Sequence, residues 1–271
     1  MSARNSKANK AAARERIRQQ QEAQAKKDRT RRQLIVVGST LGGLALVGGI
    51  AFGVKKASEP SAWDAAKNAK SVTAPANTTG TNGTELIIGK PEAKKTLELY
   101  EDSRCPSCAV FEQQVGKVLE KDVEDGKYKI KYIGATFIDN LDNGEGSKNA
   151  LSALGAAVNV SPEAFLGFKA ALYSAEMHPK ESKDSFAEDS YLLKVADKVP
   201  ALKDNAQFEK DVKEGTFDAW AMKMSATFEK SGIEGTPSLR MDGKLVTTEG
   251  SKNAPQTPEQ FRAAVDKALK G

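Results

Sequence analysis

Hydrophobic and polar positions alternate in two short stretches in the middle of the chain. Residues 85–89 predict a short strand, and the alternation of residues 96–101 predicts a second one. In residues 105–121 the apolar side chains recur at helical spacing, and residues 127–133 then alternate strictly between apolar or aromatic residues and lysines. A strand, a helix and a strand in this order predict a βαβ unit with parallel neighbouring strands and a right-handed crossover.

A long helical region follows this unit. Residues 147–231 have helical patterning throughout and predict an all-helical block of about 85 residues. Within the block, Ser161 has the residue type of a helix N-cap, and Pro162 suits the first position of the helix that it opens.

The last part of the chain returns to strand patterning. Residues 238–241 and 244–248 flank Asp242-Gly243, a dipeptide typical of two-residue β-hairpin turns. Residues 257–260 form a capping box that opens a final helix. These elements predict an α/β domain in the order β-β-α-β, helical block, β-β-α.

The chain begins with a different pattern. Residues 34–54 are 21 consecutive uncharged and mostly apolar residues. A helix of that length crosses a hydrocarbon core of about 30 Å, so we predict a single transmembrane helix there. A cleaved signal peptide, which has a shorter apolar region after a short basic lead, and a buried core helix are the alternatives.

The distribution of charge orients this predicted span. The 271-residue chain has a net charge of +5. Residues 1–33 contain eleven Lys and Arg and three Asp and Glu, a net charge of +8, so the rest of the chain is mildly acidic. Because basic flanks stay on the cytoplasmic side, we predict a cytoplasmic tail over 1–33 and a C-terminal domain outside the cytoplasm. Nucleic-acid binding by the tail is the weaker alternative, and no nucleic-acid partner is expected.

A segment of small and polar residues connects the span to the folded part. Residues 55–83 are poor in large apolar side chains, and this composition predicts a flexible linker before a folded domain over 84–271. Trp63 is the only large aromatic residue of the segment. It suits either the membrane interface or an isolated exposed position.

Both cysteines lie in one motif, Cys105-Pro106-Ser107-Cys108, between a predicted strand and a predicted helix. The start of a helix has unpaired N–H groups and the positive end of the helix dipole, and both stabilise a thiolate at Cys105. Arg104 adds a cation beside it. A thiolate is the nucleophile of thiol–disulfide exchange, and Cys108 follows one helical turn later, where it can attack the resulting mixed disulfide. The motif therefore predicts a redox pair.

Other roles for the cysteines fit this chain less well. A zinc site needs further ligands, and the chain has one His and no other Cys, so no metal is expected. Two inert thiols are a poor match to the start of a helix, where a thiolate is stabilised and accessible.

A Gly-Thr-Pro sequence at 235–237 precedes the predicted hairpin. Taken alone, Pro237 predicts an ordinary trans proline in a turn. The sequence YEDSRCPSC at 100–108, the helical block and this later Gly-Thr-Pro together resemble the DsbA-like thiol–disulfide oxidoreductases of the thioredoxin superfamily. The resemblance covers residues 84–271, and the tail and span are similar to those of membrane-tethered actinobacterial members.

The resemblance implies a thioredoxin-like fold with a helical insertion over 147–231. It implies that Cys105 is the attacking thiol and Cys108 the resolving thiol. Thr236 and Pro237 are expected to form a cis-proline loop that lies against the cysteine pair and binds the substrate backbone. Neither a metal nor an organic cofactor is implied.

The sequence departs from the family between the cysteines. Strongly oxidising members often carry Pro-His where this chain has Pro106-Ser107. Arg104, Pro106 and Ser107 are therefore candidate redox-tuning residues, and the oxidising strength stays open. The single histidine, His178, lies in the helical block and is expected at the surface.

The predicted function is a membrane-anchored, extracytoplasmic thiol–disulfide oxidoreductase that forms disulfides in exported proteins. Its predicted partners are cysteine-containing exported proteins and, as the resemblance suggests, a membrane quinone-linked thiol oxidase. A redox-silent binding module, a reductase and an isomerase are the alternatives. Glu98, Glu101 and Asp102 are candidates to assist proton transfer to Cys108, although each also fits a solvated charge at a strand end.

Overall fold

The computed structural model describes residues 61–180 and 182–270. The predicted tail over 1–33 and the predicted span over 34–54 lie outside these residues. Within the described part of the chain, no helix has the length and hydropathy required to cross a membrane.

A five-stranded mixed sheet forms the centre of the domain. Its strands are β1 (Leu86–Ile88), β2 (Thr96–Asp102), β3 (Lys129–Ala135), β4 (Ser238–Met241) and β5 (Lys244–Leu245), in the spatial order β1-β3-β2-β4-β5. β2 and β3 are parallel, which confirms the predicted βαβ unit, and the other neighbouring pairs are antiparallel.

The predicted alternation is visible at β3. Tyr128, Ile130 and Tyr132 are at most 1% exposed, whereas Lys129 and Lys131 are half-buried on the opposite face. A strand that alternates in this way presents one apolar face to the core and one polar face to water.

Ten α-helices are assigned in the described residues. They are α1 (Ala62–Lys67), α2 (Pro106–Phe111), α3 (Lys117–Glu124), α4 (Phe137–Leu141), α5 (Gly146–Val160), α6 (Pro162–Leu172), α7 (Asp189–Ala196), α8 (Ala206–Lys213), α9 (Asp218–Glu229) and α10 (Pro258–Lys270). A π-helical turn, Glu112–Gly116, separates α2 from α3, so the helix predicted over 105–121 is interrupted.

The helical insertion between β3 and β4 comprises α4 to α9, and it begins ten residues before the predicted start at 147. Ser161 caps α6 by accepting a hydrogen bond from the Ala164 N–H at 3.0 Å, and Pro162 occupies the first turn, as predicted. The predicted hairpin is also present. Asp242 and Gly243 have φ angles of 50° and 77°, the left-handed values that a tight turn between β4 and β5 requires.

The described part of the predicted linker differs from the expectation of a flexible segment. Residues 61–83 lie on the helical insertion, and α1 packs against α9. The Asn77 Nδ2 group donates to the Val158 carbonyl at 2.8 Å, and the indole Nε1–H of Trp220 donates to the Gly83 carbonyl at 2.8 Å. The prediction of a flexible linker is therefore wrong for residues 61–83, because side-chain donors bonded to backbone carbonyls hold the segment on the insertion although it has few large apolar side chains.

Trp63 belongs to this docked segment. Its side chain is half-buried, and the Lys148 Nζ lies 5.6 Å from the centroid of its ring, within cation–π range. Trp63 therefore contacts the helical insertion instead of occupying an isolated exposed position.

Candidate active site

The cysteine motif lies where β2 passes into α2. Cys105 is the N-cap residue of α2, with extended backbone angles, and Pro106 occupies the first helical turn. The Cys105 N–H donates to the Asp102 carbonyl at 2.9 Å, which closes a tight turn after the strand. Proline suits this place because the first residues of a helix have no carbonyl partner for their N–H groups.

The cis-proline loop lies against the first cysteine. The Thr236–Pro237 peptide bond is cis, as the resemblance implied. The Cys105 Sγ lies 3.3 Å from the Thr236 carbonyl oxygen, to which the thiol donates a hydrogen bond. Two segments 131 residues apart in sequence thus meet at one sulfur atom.

The surroundings of Cys105 stabilise its thiolate. Hydrogen bonds lower the pKa of Cys105 from the ordinary 9.0 to about 6, although burial opposes the change. The Cys108 thiol makes the largest contribution, and the side chain of Thr236 and the backbone N–H groups of Cys108 and Ser107 contribute the rest. Donors at the first turn of a helix are the groups expected to stabilise an anion there.

Cys108 has the opposite properties. Its side chain is fully buried, whereas Cys105 is 8% exposed. Burial raises the pKa of Cys108 well above 9.0, and hydrogen bonding to Cys105 and the charge of Glu101 raise it further. One sulfur of the pair is therefore reachable and ionised near neutral pH, and the other is inaccessible and protonated. This asymmetry suits an attacking thiol and a resolving thiol.

The helical insertion contributes apolar walls to the pair. Cys105, Cys108 and Ala109 form one buried apolar cluster with Ile138 of α4 and Tyr173 at the end of α6. The Gln113 Nε2 donates to the Tyr173 carbonyl at 2.7 Å, which joins the active-site helical segment to the insertion. Neither Ile138 nor Tyr173 has a distinctive sequence environment, so sequence reasoning missed both.

A buried charged cluster lies behind Cys108. Glu101 at the end of β2 is fully buried, and its Oε2 lies 3.4 Å from the Lys169 Nζ of α6. Lys169 also forms a close ion pair with Glu112 in the π-helical turn. The π-helical turn has room for this carboxylate because Gly116 has no side chain: a β-carbon there would lie 2.7 Å from the Glu112 carboxyl carbon. We predicted Glu101 as a proton-transfer candidate but not Lys169, which follows no motif.

Near neutral pH, the Glu101 carboxyl group can be either protonated or ionised. Burial raises the pKa of Glu101 to about 7, while Lys169 opposes this and Glu112 reinforces it. Burial likewise raises the pKa of Asp102 to about 7, although three hydrogen-bond donors oppose the change. Glu98, the third predicted candidate, instead accepts a hydrogen bond from the Tyr100 hydroxyl at 2.9 Å and pairs with Arg240. Of the three candidates, Glu101 is the one with electrostatic influence on Cys108.

Arg104 does not have the surroundings that we predicted. Its guanidinium is buried and forms ion pairs with three aspartates of the insertion, Asp139, Asp142 and Asp184, at 3.0 to 3.2 Å. The leading causes of the low Cys105 pKa are hydrogen bonds, and Arg104 is not among them. The Arg104 guanidinium is thus engaged by carboxylates of the insertion, and a direct effect of its charge on the thiolate stays a prediction.

The other predicted tuning residues lie at the surface. Pro106 and Ser107 are exposed. Ser107 lines a groove of about 590 Å³ together with residues 232–238, which include Thr236 and Pro237, and part of the loop before α10. Ser107 contributes its backbone N–H to the lowering of the Cys105 pKa.

His178 is not at the surface as predicted. It is half-buried, and its ring lies between those of Tyr173 and Phe186, with centroid distances of 5.8 and 5.9 Å. Burial lowers its pKa. In the described residues, no group of three or more His, Cys, Asp or Glu side chains is arranged to hold a metal ion.

Comparison with known proteins agrees with this fold. Residues 81–267 match the family model described as thioredoxin. Disulfide bond formation protein D of Bacillus subtilis is 26% identical over 186 residues, which cover 68% of this chain and 77% of that protein.

Solved structures give the same fold. The oxidised BdbD structure from Bacillus subtilis has a TM-score of 0.57 at 22% identity and covers 73% of this chain and 100% of its own. MdbA, a thiol-disulfide oxidoreductase from Actinomyces oris, has a TM-score of 0.55 at 20% identity and covers 68% of this chain and 88% of its own.

The fold and the cysteine pair define a thiol–disulfide oxidoreductase of DsbA-like architecture, as the resemblance predicted. The chain belongs to the thioredoxin family, whose model spans more than half of its length.

Proposed function

We propose that the protein is a membrane-anchored oxidase that forms disulfides in exported proteins outside the cytoplasm. The observation that carries the redox role is the asymmetry of the pair. Cys105 is held as a thiolate with a pKa of about 6, and Cys108 is buried with a raised pKa. The relative from Bacillus subtilis named for disulfide bond formation supports the oxidising direction.

The proposed reaction begins with the pair oxidised. A substrate thiolate attacks the Cys105 sulfur, the Cys105–Cys108 bond breaks, and the electron pair leaves on Cys108, which takes up a proton. A second substrate thiolate then attacks the substrate sulfur of the mixed disulfide and expels Cys105 as a thiolate. The substrate dithiol is oxidised to a disulfide and the cysteine pair is reduced by the same two electrons. A low pKa at Cys105 favours this direction because a stable thiolate is a good leaving group.

Glu101 is the group that we assign to the proton on Cys108. Its carboxyl is buried, it influences the charge on Cys108, and its pKa of about 7 lets it hold or release a proton under physiological conditions. When Cys108 leaves as an anion, protonated Glu101 supplies the proton. When Cys108 attacks in the reverse reaction, ionised Glu101 accepts it. Lys169 keeps the ionised form of Glu101 accessible despite the burial of its carboxyl group.

Substitution of each cysteine tests the assignment. The purified protein is expected to oxidise a reduced peptide with two cysteines, and Cys105→Ser is expected to abolish this. Given the oxidised peptide instead, Cys108→Ser is expected to accumulate a mixed disulfide that is detectable by mass. Cys105 attacks the peptide disulfide and one peptide thiol is released, but no Cys108 thiol remains to displace the peptide. If Cys105→Ser retains the activity of the wild type, the site assignment is wrong and a binding role for the domain gains support.

The reduction potential decides the direction. Equilibration of the Cys105–Cys108 pair with glutathione is expected to give a value nearer to that of DsbA, about −120 mV, than to that of thioredoxin, about −270 mV. A value near the thioredoxin figure would contradict the oxidising role and favour a reductase. A value near about −180 mV, that of protein disulfide isomerase, would favour an isomerase.

The membrane location rests on the sequence pattern of the first 54 residues. The uncharged run at 34–54 and the basic tail at 1–33 support an anchor with its N-terminus in the cytoplasm. A reporter that is active only outside the cytoplasm, fused after residue 270, is expected to be active. The same reporter fused after residue 33 is expected to be silent. The reverse pattern would refute the orientation, and recovery of the protein in the soluble fraction would refute the anchor.

The reduced pair needs an electron acceptor to act again. We assign this role to a membrane quinone-linked thiol oxidase, since a membrane anchor would hold both proteins in one plane. In membranes that contain quinone, the reduced protein is expected to be reoxidised, and quinone extraction is expected to stop this. Reoxidation that is unaffected by extraction would point to a different acceptor.

A further inference from the structure

Arg104 joins the cysteine loop to the helical insertion. It directly precedes Cys105 and is 3% exposed. Its Nη1 lies 3.0 Å from Asp139 and its Nη2 lies 3.2 Å from Asp142, both at the β3–α5 junction. Its Nε lies 3.1 Å from Asp184, in the segment that follows α6. One side chain beside the reactive cysteine thus contacts two separate segments of the insertion.

The aspartates that hold Arg104 are themselves fixed by backbone groups. Asp139 accepts hydrogen bonds from the N–H groups of Ser147 and Lys148, at 2.9 and 3.0 Å, at the start of α5. Asp184 accepts from the N–H groups of Glu145 and Gly146, at 2.8 and 3.1 Å. The carboxylates of Asp139 and Asp184 are therefore held by backbone N–H groups at the start of α5 as well as by Arg104.

Gly144 and Gly146 have no side chains, and the Arg104 and Asp184 side chains occupy the space beside them. A β-carbon on Gly144 would lie 2.0 Å from the Arg104 Nη1, and one on Gly146 would lie 2.3 Å from the Asp184 Oδ1. Neither glycine has a positive φ angle. Backbone conformation therefore does not require glycine at these positions. Glycine is required because the Arg104–Asp184 pair packs closely against them.

Asp102, the last residue of β2, also connects the cysteine loop to the helical insertion. Its carboxylate accepts hydrogen bonds from the Arg104 N–H at 3.1 Å, the Ile138 N–H at 3.2 Å and the Ser147 hydroxyl at 2.6 Å. Its carbonyl accepts from the Cys105 N–H at 2.9 Å. Asp102 thus accepts hydrogen bonds from the backbone N–H groups of both Arg104 and Cys105, and it also contacts Ser147 of α5.

We propose that Arg104 is a positioning residue, whose ion pairs with Asp139 and Asp184 fix the cysteine loop to the helical insertion and so hold the Cys105 sulfur at the α2 N-terminus and against Thr236. This inference rests on the proposed redox role of Cys105. It is distinct from the direct electrostatic role that the sequence suggested. The insertion then acts on the chemistry through geometry, by keeping the sulfur within hydrogen-bonding distance of its donors.

Arg104→Lys is the first test. Lysine keeps the charge but lacks the planar fork that engages several carboxylates at once. The pKa of Cys105 is expected to rise by about one unit, so the rate of alkylation of the thiol at about pH 5 falls about tenfold. Arg240→Lys is the matched control, since Arg240 pairs with Glu98 on the same sheet and has no contact with the cysteine loop among its described bonds. It is expected to change stability without changing the alkylation rate.

Gly144→Ala is the second test, and it keeps every charge. The added methyl group meets the Arg104 guanidinium and is expected to displace it, with the same direction of change in the Cys105 pKa. It serves in place of Arg104→Lys if that variant does not fold, and urea unfolding is measured for each variant.

The outcomes separate the two proposals. A wild-type Cys105 that is alkylated no faster at about pH 7 than a free cysteine would contradict the proposed function itself. A reactive wild type in which Arg104→Lys and Gly144→Ala lower stability but leave the pKa of Cys105 unchanged would overturn the positioning role alone. A rise of the pKa in both variants, and none in Arg240→Lys, supports it.

Discussion

The Cys105 thiolate is expected to make the stability of the reduced protein depend on pH. The perturbation is Cys105→Ala, which removes the ionising group. The pKa of Cys105 is about 6 in the fold, below the ordinary 9.0. A group whose pKa is lowered on folding stabilises the fold above its unfolded-state pKa, and this stabilisation is lost as pH falls through its folded-state pKa. The stabilisation of the fold by the Cys105 thiolate therefore increases as pH rises from 6 to 9.

The magnitude follows from the two pKa values. One pKa unit corresponds to about 1.4 kcal/mol, so the linkage relation gives almost no gain in unfolding free energy at pH 5, about 1 kcal/mol at pH 7 and about 3 kcal/mol at pH 8. The stabilisation belongs to the reduced form only, since a disulfide sulfur does not ionise. At pH 7 it makes the pair about 30 mV more oxidising than an unperturbed pair.

The assay is urea unfolding of the reduced wild type and reduced Cys105→Ala between about pH 5 and pH 8, with the oxidised wild type as a further control. The difference in unfolding free energy between the two reduced proteins is expected to grow by about 3 kcal/mol over this range. Glu101 titrates in both proteins, so most of its effect cancels in the difference. A difference that does not change with pH would refute the low pKa and the leaving-group argument that depends on it.

Three further predictions concern other parts of the protein. Glu101→Gln is expected to slow the attack of Cys108 on a mixed disulfide about tenfold or more, measured in single turnovers. In the wild type this rate is expected to rise as pH increases through about 7, and in the variant the rise is expected to be absent. An unchanged pH profile would exclude Glu101 as the proton acceptor. Ser107→Ala is expected to leave the pKa of Cys105 within about half a unit of the wild type by thiolate absorbance, because the backbone N–H is retained, and a larger rise would show that the hydroxyl contributes. A chain that starts at residue 84 is expected to have an unfolding free energy about 1–3 kcal/mol lower than one that starts at residue 61, because the buried Trp220 N–H loses its acceptor. Urea unfolding measures the difference, and equal stability would mean that the docked segment contributes nothing.

Local patterns in the sequence were sufficient for most elements of the fold. The strict alternation around β3, the Asp242-Gly243 turn and the Ser161-Pro162 helix start each occupy a few consecutive residues, and each is present in the structure. These signals are reliable because hydrogen-bond geometry and side-chain direction repeat over short distances along the chain.

The packed segment at 61–83 shows where composition misleads. Few large apolar residues predicted a flexible linker, yet Ala66 and Gly83 are buried and backbone carbonyls of the segment accept hydrogen bonds from α9. The partners of these bonds lie more than 130 residues away in the chain. No local pattern identifies such partners, because a backbone carbonyl is common to every residue.

Residue spacing alone predicts the chemistry, because it places two cysteines at a strand-to-helix junction, one at the helix N-terminus and the second one turn later. How that chemistry is tuned depends on contacts between segments that are far apart in the chain. In the fold, Thr236 lies against Cys105, Lys169 pairs with two buried glutamates, and Arg104 pairs with aspartates of the insertion. The reason is that the energy of a charge depends on its burial and on its distance from other charges, and the spacing of residues along the chain specifies neither.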